Sequence, residues 1–300
     1  MAASPAFTNN CSHSCRRNVA DYRFRILNVF TIAGDTFSGN PLCVFEDAQG
    51  LDDATMQRIA LQFNLSETTF ILPSDVATAR VRIFTPAFEM PFAGHPTLGT
   101  AHVARALNGG NAITLEMKAG VIPVSAENDT WTLQANSPTS RAVEAGRAQL
   151  AEMLELNEGD VGEWPLWVNT GSDQLVIPLR SPAAVARCNP VGALLERYGR
   201  VTDERYLAYV WAEAGNGEVT ARFFFPKGAA ITEDPATGSA CAYLGGWFVA
   251  TGAALPATRR VHQGELVGRP SRLNLRVDSA KNIFVSGDVI EIGRGTVTLA

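Results

Sequence analysis

Three hundred residues, 46% hydrophobic and 18% charged, make a folded chain long enough for one large or two ordinary domains. A net charge of -5 leaves no basic field for phosphate, which excludes a nucleic-acid or anionic-membrane partner, and no run of about 20 apolar residues provides a spanning helix. Five cysteines, Cys11, Cys15, Cys43, Cys188 and Cys241, odd in number and irregular in spacing, fit a reducing, cytoplasmic setting rather than a disulfide framework.

Residues 1–21 are expected to be a disordered or extended tail, since the first 20 lack the apolar core of a secretory signal. Cys11, His13 and Cys15 within it have no second Cys/His pair nearby, so no metal site is expected. Arg25–Phe30 has the pattern of a first strand, residues 34–41 (GDTFSGNP) form a turn region, and Leu42–Phe45 begins another apolar run. Residues 52–65 predict a helix capped by Asp52 or Asp53, with Met56, Ile59, Ala60 and Phe63 on one stripe. Strands follow at Thr68–Leu72 and Ala79–Phe84, and an apolar helix at Thr97–Leu107 stops at Asn108-Gly109-Gly110. After strands at Ile113–Met117 and Trp131–Ala135, the stretch 136–140 (NSPTS) is the candidate linker. The second half alternates again: helices near 148–156 and 191–198, and strands near 174–179, 207–212 and 219–225. Interspersed elements of both kinds place the chain in a mixed α/β or α+β class.

An internal echo organises these elements. Residues 82–86 are Arg-Ile-Phe-Thr-Pro and residues 222–226 are Arg-Phe-Phe-Phe-Pro, 140 positions apart. Each run leads to a Pro-containing turn, Gly94-His95-Pro96 or residues 234–238 (DPATG), and each turn opens an apolar segment rich in small residues, 97–107 or 239–250. Helices apolar on nearly all sides are buried. The economical arrangement is two copies of one unit, each a sheet curled around its own central helix.

Two helix N-termini pointed at one another would offer unpaired N–H groups to a carboxylate, but a dipole worth about 0.3–2 kcal/mol orients an anion without performing chemistry. Proton transfer needs a titrating side chain, and Glu67, His95, Glu233 and Asp234 are the candidates at hand. A partly desolvated cleft near Asp234 would raise the Glu67 pKa toward neutrality, and His95 can donate or accept in the same range. Each has a structural rival. Glu67 can be a solvent-facing strand-edge residue, His95 a turn residue, Asp234 a turn starter before Pro235, and Ser239 an N-cap.

The runs at 40–45 (NPLCVF), 66–70 (SETTF), 82–86 (RIFTP), 94–99 (GHPTLG), 234–240 (DPATGSA) and 263–271 (QG, then GRPS) resemble, in order, the PhzF-like phenazine-biosynthesis family. The resemblance implies an α+β fold of the diaminopimelate-epimerase type: two pseudo-symmetric half-barrels, each a curled mixed sheet around a central helix. The halves would comprise residues 22–136 and 137–286, with a last strand at about 287–300 available to complete the first. It also implies a homodimer acting on a small carboxylate without metal or organic cofactor, as an isomerase of trans-2,3-dihydro-3-hydroxyanthranilate or a related acid. Carried over by position, Glu67 would be the acid–base group, and His95 and Asp234 would contact the substrate's polar substituents. Ser239, with the amides of Gly94, Gly238 and Ser239, would hold its carboxylate. Epimerases and racemases of the wider superfamily place a thiol at each helix head; here Ala93 and Thr237 stand there, which disfavours two-thiol chemistry. An epimerase of an amino-acid-like substrate and a non-catalytic ligand-binding protein remain the alternatives.

Overall fold

The computed structural model describes residues 20–203 and 205–299. Cys11, His13 and Cys15 lie outside the described residues. The first strand, Ala20–Val29, begins five positions before Arg25, so residues 20 and 21 belong to the sheet rather than to a tail. They are held there by antiparallel pairing with Leu299 and Thr298.

The expected duplication is written in the sheet topology. Ala20–Val29, Asn40–Phe45, Glu67–Leu72, Ala79–Phe84, Ala112–Met117, Gly120–Glu127 and Thr130–Gln134 lie side by side. Successive pairings are antiparallel, parallel, antiparallel, parallel, antiparallel and antiparallel. The same order recurs through Leu166–Asn169, Asp173–Pro178, Ala208–Gly215, Glu218–Lys227, Ala257–Gln263, Ser271–Val277 and Ile283–Leu299. Parallel neighbours need a crossover. The first half crosses through the helices Asp53–Phe63 and Gly94–Asn108, the second through Pro182–Arg187 with Gly192–Tyr198, and through Gly238–Thr251.

The long last strand serves both halves. Residues 283–286 pair with Ser271–Val277, residues 284–288 with Thr130–Gln134, and the remainder runs along Ala20–Val29. It closes the first sheet into a ring and forms one edge of the second. The other edge of the second sheet is Thr139–Ala142, which takes up the last residues of the expected linker and pairs with Leu166–Asn169. A division between residues 286 and 287 therefore falls inside one continuous strand.

Each sheet wraps a buried helix. In Gly94–Asn108 the buried positions run on all sides, from Gly94 through Thr100 to Ala104, and Gly238–Thr251 is likewise enclosed from Gly238 to Phe248. Small residues are required because the walls press close: a Cβ on Gly99 would stand 2.5 Å from Leu42 Cδ2, and one on Gly245 2.7 Å from Ile283 Cγ2. Packing at that density has no room for a methyl group. Gly94-His95-Pro96, expected as a turn, is the first turn of its helix, where Pro is tolerated because its missing N–H would be unpaired anyway. The strands Gly120–Glu127, Leu166–Asn169, Ala257–Gln263 and Ser271–Val277 were not anticipated from the sequence.

Candidate active site

The heads of the two central helices meet. A Cβ on Gly94 would lie 3.2 Å from both Gly238 Cα and Ser239 N, and one on Gly238 would lie 3.4 Å from Gly94 Cα. The N-caps are Ala93 and Thr237, neither of which offers a side-chain cap hydrogen bond, so the first-turn amides have no side-chain acceptor there. Ser239 is the second helical residue, and the N-cap role falls to Thr237.

Around this junction the strand Asn40–Phe45 supplies the scaffold. Leu42 lies opposite Glu67, the first residue of the neighbouring parallel strand. Helix Asp53–Phe63 ends in a left-handed Asn64, φ 52°, and the chain turns directly into that strand, leaving Glu67 at its inner end. The Glu67 and His95 side chains are 15% and 6% exposed, with Oε2 and Nε2 3.3 Å apart. The pair is close but not aligned as a hydrogen bond, and neither atom has another partner.

Asp234 enters from the second half at the end of strand Ala230–Asp234. Its Oδ1 accepts from Asn40 Nδ2 at 2.9 Å and its Oδ2 from Thr237 Oγ1 at 2.5 Å. Burial, and then the Asp234 charge, push the Glu67 carboxyl up to about 8. Burial pushes Asp234 up to about 6, against the hydrogen bonds from Thr237 and Asn40 that favour its charged form. The His95 imidazole is pushed down to about 3 by burial, against a hydrogen bond at the Pro41 backbone, so it is neutral at physiological pH. A neutral imidazole engaged at Pro41 presents its other nitrogen, Nε2, to Glu67 as an acceptor. The Glu67 carboxyl therefore titrates close to neutral pH, facing an uncharged imidazole and a nearby carboxylate.

The structure thus brings Glu67, His95, Asp234, Gly94, Gly238 and Ser239 to one place. It adds Asn40 and Gln263, to which sequence reasoning gave no role. The one signal for Asn40 was a polar side chain opening an apolar run, and Asn40 and Gln263 are both fully buried. No group of three or more potential metal-ligating side chains occurs among the described residues. A separate groove of about 710 Å3 beside strand Ala79–Phe84 contains Arg80, Glu116 and Lys118 and shares no residue with this site.

The family model for phenazine biosynthesis-like proteins matches residues 27–292. The chain belongs to the phenazine biosynthesis-like family. It is 33% identical over 291 residues to the trans-2,3-dihydro-3-hydroxyanthranilate isomerase of Pseudomonas chlororaphis, covering 93% of this chain and 100% of that protein. It is 39% identical over 279 residues to an uncharacterized isomerase of Pasteurella multocida, covering 91% and 93%. The crystal structure of a PhzF-family phenazine biosynthesis protein of Bacillus anthracis superposes with a TM-score of 0.81 at 24% identity, over 93% of this chain and 100% of that one, a likeness of fold. The relatives place this family member among isomerases.

Within the family's duplicated fold the two halves differ at the site. Phe70 faces Arg82 as Val210 faces Arg222, so Glu67 corresponds to Leu207. Phe84 faces Glu89 as Phe224 faces Glu233, so Asp234 corresponds to Met90. With Gly94 matched to Gly238, His95 corresponds to Ser239. One half brings Glu67 and His95, and the other Asp234 and the Ser239 hydroxyl. Cys241 lies one turn inside its helix, fully buried, where burial raises its thiol far above the range of a reactive thiolate.

Proposed function

We propose that the chain is an isomerase in which Glu67 removes a proton from an activated carbon of a small carboxylate and returns it to another position. The observation that carries this reading is the desolvated Glu67 carboxyl, 3.3 Å from His95 and pushed up to about 8, at the meeting point of two helix N-termini. A group titrating near the working pH is both a competent base and a competent acid, which a single-residue proton shift requires. His95, neutral and 3.3 Å away, can hold the proton in transit or bind a polar substituent. The first-turn amides of Gly94, Gly238 and Ser239 suit the substrate carboxylate. The relatives named trans-2,3-dihydro-3-hydroxyanthranilate isomerase support that compound, a cyclic carboxylate with an acidified ring C–H, as the first substrate to test.

With that compound in D2O, wild-type protein is expected to give the isomer with exchange at the reacting carbons. Glu67→Gln should bind it nearly as well but turn it over at least ~10²-fold more slowly. Equal turnover in Glu67→Gln would remove Glu67 from the reaction.

A further inference from the structure

The groups that hold Asp234 form a chain with one direction. Asn40, fully buried at the start of a first-half strand, reaches into the second half, where its Nδ2 donates to Asp234 Oδ1 and to the Ala236 carbonyl, each at 2.9 Å. Gln263, fully buried on strand Ala257–Gln263, donates through Nε2 to Thr237 Oγ1 at 3.0 Å and to the Asp234 carbonyl at 2.8 Å. A hydroxyl has one proton. The Thr237 oxygen accepts from Gln263 and directs that proton to Asp234 Oδ2.

Both carboxylate oxygens of Asp234 therefore face donors. A protonated Asp234 would set its own O–H against the Asn40 N–H or displace the Thr237 proton, so the charged form is the one that uses both donors. The Asn40 Oδ1 is buried without a partner. The amide is held by its donor end alone.

We propose that Asn40, together with Gln263 acting through Thr237, is a positioning residue that keeps Asp234 ionised and fixed across the boundary between the halves. This rests on the proposed acid–base reading of the site and extends it. Asp234 then supplies the steady negative charge that helps hold Glu67 in the range where it can both take up and release a proton. The other charged groups facing Asp234 are Glu67 across the junction and Glu233 beside it, the latter held by Arg222. His95 is present as a neutral imidazole.

The test is a 13C-carboxyl NMR titration of the full chain, which needs no substrate, with the two resonances assigned by their loss in Asp234→Asn and Glu67→Gln. In Asn40→Ala and Thr237→Val the Asp234 midpoint should rise by ~1 pH unit or more, while Thr237→Ser, which keeps the hydroxyl, should restore it. In Asp234→Asn the Glu67 midpoint should fall. If Asn40→Ala does not fold, Thr237→Val and Gln263→Leu carry the test. Folded variants with the wild-type Asp234 midpoint would overturn the proposal and leave Asn40 a structural latch. Because turnover is not the readout, failure of the acid–base reading and failure of this one are separately visible.

Discussion

A buried carboxyl that holds its proton to high pH leaves a signature in folding as well as in reactivity. Glu67 has an ordinary value of 4.5 and a folded value of about 8. The folded state thus binds the proton more tightly than the unfolded state does. The associated stability is fully present below about pH 4.5 and is lost as pH rises through 8. Glu67→Gln, neutral at every pH, should therefore show a Tm advantage over wild type that grows across that window and levels off above it, on the order of 5 °C. Calorimetry at pH 5 and pH 8.5 checks this, and an unchanged difference between the two would mean that the carboxyl is solvated. At this scale the sequence was informative about chemistry but not about burial. Glu67 in a Ser-Glu-Thr context has an equally good reading as a solvent-facing residue, and only its pairing opposite Leu42, with the second half across the junction, desolvates it. Asn40 stood out only as a polar head on an apolar run, and its role was unreadable because its partner lies 194 positions away.

Between strands, the sequence echo has a physical cause. Arg82 donates through Nε and Nη2 to Glu89 at 2.8 and 2.7 Å, and Arg222 through the same atoms to Glu233 at 2.9 and 2.7 Å. Each guanidinium also lies over the phenylalanine two residues on, Phe84 or Phe224. The repeated Arg-x-Phe is thus a clamp between strands that fixes the segment leading to each helix head. The two clamps should differ in their sensitivity to loss. Glu233 is only 6% exposed and has Arg222 as its salt-bridge partner, whereas Glu89 also meets Lys118 at 2.5 Å. Arg222→Met should cost ~3 kcal/mol by leaving a buried charge unpaired, and Arg82→Met should cost less, measured as shifts in urea midpoint. Helix heads give a second element-scale expectation. Gly94→Ala places a methyl group 3.2 Å from Gly238 Cα and Ser239 N, so it should push the helix heads apart and lower turnover far more than it lowers Tm. The helices themselves were legible because they are apolar on every side. The strands Ala257–Gln263 and Ser271–Val277 were not, because a run such as Ala-Thr-Arg-Arg-Val-His-Gln carries charge on both faces, Arg260 outward and Arg259 on the face of buried Val261, which breaks the apolar alternation.

For the whole molecule, duplication explains the class of fold, but the shared last strand decides how it behaves. Val285 pairs with Leu133 of the first sheet and Leu275 of the second, and all three are buried. A ring and a sheet that share a strand cannot lose it independently: once residues 283–288 detach, the ring opens and the second sheet loses its edge. The two halves should therefore unfold in one cooperative step despite their repeated topology. Trp131 is buried in the first half and Trp211 in the second, which provides a probe for each. Single-tryptophan variants that retain one or the other, with the remaining tryptophans replaced by Phe, should melt at coincident urea concentrations. Val285→Ala, which leaves a cavity at the shared wall and costs ~1–3 kcal/mol, should move both midpoints equally. Separate transitions, or a shift confined to one tryptophan, would mean that the halves are independent domains and that the candidate site is assembled by docking. In that case its geometry would depend on ligand. A single coincident transition would instead mean that folding itself sets Asp234 and Asn40 against one another, so that the junction is built before any substrate arrives.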